Sequence, residues 1–145
     1  MSKSDRNQEG KGRIFAKSAI ALLAGFAVAV VLSLATDFAL HLIGFWPALE
    51  KPMTSPLLLT ATVYRTLYAV LSAYVVARLA PYRPLEHALV GGLIGLVLSS
   101  AGAVATWNKD LGPHWYPVAL IVLALPSAWV GGKLRLAQLE GSAAG

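Results

Sequence analysis

The sequence contains no cysteine among its 145 residues. Without thiols the chain can form no disulfide, no cysteine-ligated iron–sulfur cluster and no cysteine nucleophile. Charged residues are also scarce, at 13% of the chain, against ~25% in ordinary soluble domains. Hydrophobic residues make up 57% and the mean hydropathy is +0.63. These proportions leave too little polar surface for a soluble fold and indicate a membrane protein.

Basic residues outnumber acidic ones, 12 to 7, which gives a formal net charge of +5. They form no stripe interleaved with aromatic side chains, so the sequence predicts no nucleic-acid partner. They are concentrated near the chain ends and between apolar runs. That distribution is typical of residues that set membrane topology and contact anionic lipid.

Long apolar stretches predict an all-α membrane protein, a four-transmembrane-helix bundle with its N- and C-termini in the cytoplasm. Because a span needs ~20 residues, the expected transmembrane domain is 17–135, with spans at about 17–45, 56–79, 87–107 and 115–132. Residues 1–16 are expected to be a polar cytoplasmic tail, and residues 136–145 a flexible tail.

The positions of Lys and Arg indicate the orientation, because cytoplasmic loops carry an excess of them. With the N-terminus inside, only Lys51 and Lys109 lie outside and Arg65 is embedded in the membrane. The other basic residues on the expected cytoplasmic side are Lys3, Arg6, Lys11, Arg13, Lys17, Arg78, Arg83, Lys133 and Arg135.

A cleavable signal peptide is an alternative for the first span. The basic start, the apolar run 19–32 and the small residues Ser33 and Ala35 fit such a peptide, and its removal would take away about residues 1–35. The apolar stretch continues to Trp46, which favours an intact first helix.

Ionisable side chains interrupt two of the apolar stretches: Asp37 and His41 in the first, Arg65 in the second. A lone charge inside a membrane costs ~2.5–3.5 kcal/mol. Antiparallel helices would place Asp37 and Arg65 roughly 9 and 13 Å below their outer ends, so we predict that the two side chains meet. The expected buried polar cluster is completed by Tyr64, Tyr68 and His114.

Two interpretations of this cluster stay open. In the first, Asp37 and Arg65 are a structural clamp in a non-enzymatic accessory or interaction component of the membrane. In the second, the protein is a small oligomeric proton-coupled transporter, in which Asp37 titrates and His41 relays protons. No serine nucleophile with a base and no paired carboxylates within one span are present, so no catalytic residue is predicted. Asp37, His41 and His114 form no tight ligand motif, and no metal or cofactor is expected.

The third span carries Gly91, Gly95 and Ser99 at intervals of four residues, a pattern that lets helix backbones approach closely. We expect this row to be a helix-packing surface, either inside the bundle or as the seam of a homodimer. The expected partners are thus the lipid bilayer and a second copy or a membrane-complex partner. Gly131 and Gly132, before Lys133, are interpreted as a helix stop.

Three segments carry a resemblance to a known group: TDFALHLIGFWP, VYRTLYAVLSAYVVARLAPYRPLEHALVGGLIG and GPHWYPVALIVLALPSAWVGGKL. Together they resemble an uncharacterised family of short bacterial integral membrane proteins with four predicted spans, over nearly all of residues 14–135. The resemblance implies a multi-pass protein of the bacterial inner (cytoplasmic) membrane and a four-helix bundle. It implies no activity, cofactor or substrate.

Overall fold

The computed structural model describes residues 3–48 and 51–144. These residues form four helices, α1 (Lys3–Leu42), α2 (Ser55–Leu79), α3 (Pro84–Thr106) and α4 (Trp115–Ala143), and no strand occurs among them. Each of the four contains a segment long and apolar enough to cross a membrane. The prediction of an all-α chain with four such helices is confirmed.

The first helix ends three residues earlier than the predicted limit at residue 45. Gly44 adopts a left-handed backbone conformation with φ of +72°, which a glycine reaches without the steric penalty of a side chain. The backbone N–H groups of Phe45 and Trp46 turn back to donate to the carbonyl oxygen of Leu40, at 3.0 and 3.1 Å. The chain therefore leaves the helix axis at Gly44.

The polar ends of the chain are helical where the structure describes them, which differs from the expected tails. α1 begins at Lys3 and α4 continues to Ala143, while residues 1, 2 and 145 lie outside the described residues. Extending a helix that is already nucleated is easier than starting one, since each added residue gains one hydrogen bond.

Gly131 and Gly132 do not end the fourth helix, so their interpretation as a stop is wrong. Both are buried within α4. A Cβ built on Gly131 would lie 2.7 Å from the Cβ of Ala73 in α2, and one on Gly132 would lie 2.6 Å from Leu85 Cδ1 in α3. The missing side chains let the α4 backbone approach both neighbours, and that packing offsets the cost of glycine inside a helix.

Small side chains also form the buried centre where α2, α3 and α4 meet. Its buried members are alanines, and Leu89 packs against them. Alanine side chains keep helix axes close, so these three helices form a tight unit. The buried alanines of this centre are Ala73, Ala77, Ala88 and Ala128.

The first helix is attached differently. It packs along α2, approaches α3 at few positions and does not pack against α4 within the described residues. The helices begin and end at two ends of the bundle. We call the end that carries the turn between α2 and α3 the terminal end, because α1 begins there and α4 ends there. We call the opposite end, where α1 connects to α2 and α3 connects to α4, the loop end. Near the terminal end, Ser18 Oγ of α1 lies 2.9 Å from His87 Nε2 of α3. Toward the loop end, α1 and α3 face each other across cavities.

Candidate polar site between the first and second helices

The carboxylate of Asp37 is bound by two side chains of α2. Arg65 Nη2 donates to Asp37 Oδ2 at 2.6 Å, and the hydroxyl of Tyr64 donates to Asp37 Oδ1. The side chains of Arg65 and Asp37 are 34% and 24% exposed. The predicted contact between Asp37 and Arg65 is thus present, and each carboxylate oxygen has a donor.

Two further hydrogen bonds join the same pair of helices. The hydroxyls of Thr36 and Tyr68 lie 2.8 Å apart, and Ser72 Oγ donates to the backbone carbonyl of Gly25 at 2.7 Å. Tyr68 belongs to the predicted cluster, whereas its partner Thr36 and the Ser72–Gly25 bond were not anticipated. Together with the Asp37 contacts they form the α1–α2 polar seam: Gly25, Thr36, Asp37, Tyr64, Arg65, Tyr68 and Ser72.

Helical periodicity explains why the seam forms. Tyr64, Tyr68 and Ser72 recur every four residues and so share one face of α2. The antiparallel course of α1 then brings Asp37 opposite the start of that row and Gly25 opposite its end. Gly25 also allows the close approach, since a Cβ there would lie 2.9 Å from the carbonyl oxygen of Ser72.

Arg65 also reaches the fourth helix. Its Cζ atom lies 6.0 Å from the ring centroid of Tyr116, at the outer limit of a cation–π contact. This placement of Tyr116 was not predicted from the sequence. The guanidinium therefore connects α1, through Asp37, with α4.

The histidines of the predicted cluster do not bond to the carboxylate. His41 Nδ1 donates to the backbone oxygen of Asp37 at 2.9 Å. His114 Nε2 donates to the backbone oxygen of Trp107 at 2.8 Å, and the two rings stack with centroids 4.4 Å apart. The hydroxyl of Tyr64 donates to Asp37 and not to His41. Within the described residues, no group of three or more potential metal ligands occurs.

Two cavities meet at Arg65. The loop-end cavity, of about 700 Å³, is lined by Asp37, His41, Arg65 and His114 among others. The central cavity, of about 290 Å³, lies between all four helices. Residues that line both cavities are Arg65, Leu98, Ser99 and Leu120. The polar seam therefore borders an interior space instead of being sealed in the core.

The row of small residues on α3 faces the central cavity. Gly91, Gly95 and Ser99 all line it, and a Cβ added at Gly95 would meet no atom within 4 Å. At Gly91 the added atom would make only ordinary contacts, the nearest at 3.6 Å. Internal helix packing at Gly95 is therefore not found, while the homodimer alternative stays a prediction. The close approach of α3 to α4 involves Gly92 instead, where an added Cβ would clash with Ala128.

Comparison of the chain with protein-family models, with curated proteins and with solved structures gives no match. Arguments about function therefore rest on the residues and on the geometry described above.

Proposed function

We propose that this is a multi-pass, non-enzymatic protein of the bacterial inner membrane, an accessory or interaction component whose α1–α2 polar seam holds the first helix on the other three. One observation carries this proposal: both carboxylate oxygens of Asp37 accept hydrogen bonds from α2, from Tyr64 and Arg65. A carboxylate engaged in this way is suited to joining two helices.

The way α1 is attached supports the same role. Its side-chain hydrogen bonds to α2 are those of the seam, and it packs on α3 at few positions. Because lipid is as apolar as a leucine side chain, packing and hydrogen bonds, not hydrophobic burial, hold helices together in a membrane. Loss of the seam would leave α1 held by its packing along α2 and by the Ser18–His87 contact.

The proposed orientation places both chain ends in the cytoplasm, and it can be measured directly because the chain has no cysteine. We expect Asn108→Cys, in the exposed α3–α4 loop, to react with a membrane-impermeant maleimide in intact spheroplasts. Ser142→Cys, in the exposed last turn of α4, should react only after permeabilisation. The opposite labelling pattern would refute the orientation, and the cysteine-free parent controls for background.

The alternative function, a small oligomeric proton-coupled transporter, is favoured by a different observation. Asp37 and His41 both line the loop-end cavity, so an ionisable pair one helical turn apart borders a space at one end of the bundle. Intramembrane carboxylates and histidines are typical components of proton relays. This function requires that Asp37 exchange its proton while its neighbours stay in place.

Proton flux into proteoliposomes separates the two functions. We expect vesicles containing the purified protein and a pH-sensitive dye to acidify no faster than protein-free vesicles when a pH gradient and a potassium diffusion potential are imposed. Asp37→Asn should leave this rate unchanged, because the carboxylate serves as a hydrogen-bond acceptor.

A flux that the parent protein produces and that folded Asp37→Asn protein lacks would replace the accessory function with the transporter. Arg78→Gln, on the exposed terminal end of α2, is the matched control for a change of one charge. The amount of protein incorporated in each vesicle preparation must be equal.

A further inference from the structure

The loop-end cavity has aromatic walls and a polar side. Trp46, which is 4% exposed, and Trp107 line it near the loops. Tyr64 and Tyr116 line it near the seam. Flat aromatic faces pack well against other planar rings, so the shape of these walls favours a ligand with a ring.

The charges of the lining cancel. Among the described residues that line the cavity, Asp37 and Arg65 are the only acidic and basic side chains apart from two histidines, and they are paired with each other at 2.6 Å. A charged ligand would have to compete with that pair in a site largely removed from water. The lining therefore favours an uncharged molecule.

The lining nevertheless offers hydrogen-bond donors that no described residue uses. Arg65 donates to Asp37 through Nη2, and its buried Nε has no hydrogen-bond partner among the described residues. The hydroxyl of Tyr116 likewise has no hydrogen-bond partner among the described residues, although its ring lies beside Arg65. Both groups belong to residues that line the cavity. A ligand oxygen that accepts hydrogen bonds complements them.

The available volume suits a small lipophilic molecule with a tail. The loop-end cavity, about 700 Å³, falls within the ~300–1,000 Å³ typical of small-molecule sites. Past Arg65 the central cavity adds about 290 Å³, and its walls include Leu22, Phe26 and Gly95. α1 packs on α3 at few positions, and residues of both helices line both cavities.

We propose that the loop-end cavity binds an uncharged, lipid-soluble molecule with a planar, carbonyl-bearing ring and an apolar tail, the chemistry of a prenylated quinone. A ring oxygen accepts hydrogen bonds from Arg65 and Tyr116, the ring packs against the aromatic walls, and the tail extends toward the central cavity or out between α1 and α3. This binding does not depend on the accessory role proposed above, and it involves no electron transfer by the protein.

The binding experiment uses the full chain in lipid nanodiscs and radiolabelled decylbenzoquinone, with empty nanodiscs subtracted. We expect saturable binding that unlabelled decylbenzoquinone displaces. Decylbenzene, with a planar six-membered ring and the same tail but no oxygen, should displace it at least tenfold more weakly, since a tenfold change corresponds to about 1.4 kcal/mol and a hydrogen bond contributes about that much. Equal displacement by decylbenzene, or stronger displacement by decanoate, would overturn the proposal.

Variants locate the site. Gly102 lines the loop-end cavity and an added Cβ there meets no atom within 4 Å, so Gly102→Leu should fill the space and reduce binding at least tenfold. Gly141→Leu is the matched control, because its Cβ is equally unobstructed but lies at the other end of the bundle. Tyr116→Phe should weaken binding about fivefold to tenfold by removing one donor, and it needs no repacking. Unchanged binding in both Gly102→Leu and Tyr116→Phe would place the ligand elsewhere and refute the assignment.

Discussion

Replacing Arg65 with leucine should destabilise the folded bundle by about 2.5–3.5 kcal/mol, the cost of an unpaired charge in a membrane span. The change leaves the Asp37 carboxylate with Tyr64 as its remaining donor. Removing one member of a fully buried pair costs ~3–5 kcal/mol. The lower range applies here because it was obtained for a single charge in a membrane span, whereas the higher one refers to ion pairs buried in soluble proteins. The measurement is the thermal unfolding of purified protein in nanodiscs, together with its abundance in the membrane.

Substitution of Asp37, alone and together with Arg65, tests whether the two side chains depend on each other. Asp37→Asn should be destabilising on its own, because Arg65 then has no anionic partner. The double variant Asp37→Asn with Arg65→Leu should recover much of the loss, since it leaves no charge in the span and Tyr64 can still donate to the amide oxygen. Arg78→Leu, an exposed arginine on the same helix, should change stability by less than about 0.5 kcal/mol. Additive losses in the double variant would show that the two side chains act independently.

The large free-energy penalty of a lone charge explains why this pair could be predicted from sequence. Asp37 and Arg65 were the only oppositely charged side chains expected at similar depth in neighbouring spans. Their contact is present at 2.6 Å. Few arrangements of an antiparallel bundle could satisfy both charges, so composition and helical spacing were sufficient.

Neutral hydrogen bonds in the same seam could not be predicted in this way. Thr36 with Tyr68, and Ser72 with the Gly25 carbonyl, each contribute only ~0.5–1.5 kcal/mol. A threonine or serine in a helix can instead bond to its own preceding turn, as Thr62 and Thr66 do. Several partners are therefore nearly equal in energy, and the choice depends on the rotation of each helix about its axis.

The positions at which the helices begin and end could also not be predicted fully from the sequence. Apolar composition predicted the four helices. Hydropathy, however, describes how favourable a side chain is in lipid and gives no information on where backbone hydrogen bonding ends. It therefore placed the ends of α1 and α4 where the apolar residues stop, while both helices continue into polar segments as far as Lys3 and Ala143. Helix packing at Gly95 was predicted incorrectly for a related reason. Spacing of small residues predicts close approach, but it does not say which helix face meets a neighbour.

Gly131→Ala should destabilise the bundle by about 3 kcal/mol, the upper part of the range for an overpacked core. The added Cβ would lie 2.7 Å from both Ala73 Cβ and the backbone nitrogen of Tyr74. Real Cβ atoms are essentially never found this close to other heavy atoms, so α4 must move away from α2. Side-chain rotation cannot relieve the contact, because Ala73 has no rotamers and Tyr74 contributes a backbone atom.

A matched substitution isolates this steric effect. Gly95→Ala places the same methyl group in a helix where no atom lies within 4 Å. It should stabilise the protein by about 0.5–1 kcal/mol, because alanine loses less backbone entropy than glycine on forming a helix. The unfolding temperature in nanodiscs should therefore fall for Gly131→Ala and rise for Gly95→Ala. If the Gly131→Ala protein unfolds at the unfolding temperature of the parent protein or above it, α4 does not approach α2 this closely at Gly131 in the nanodisc.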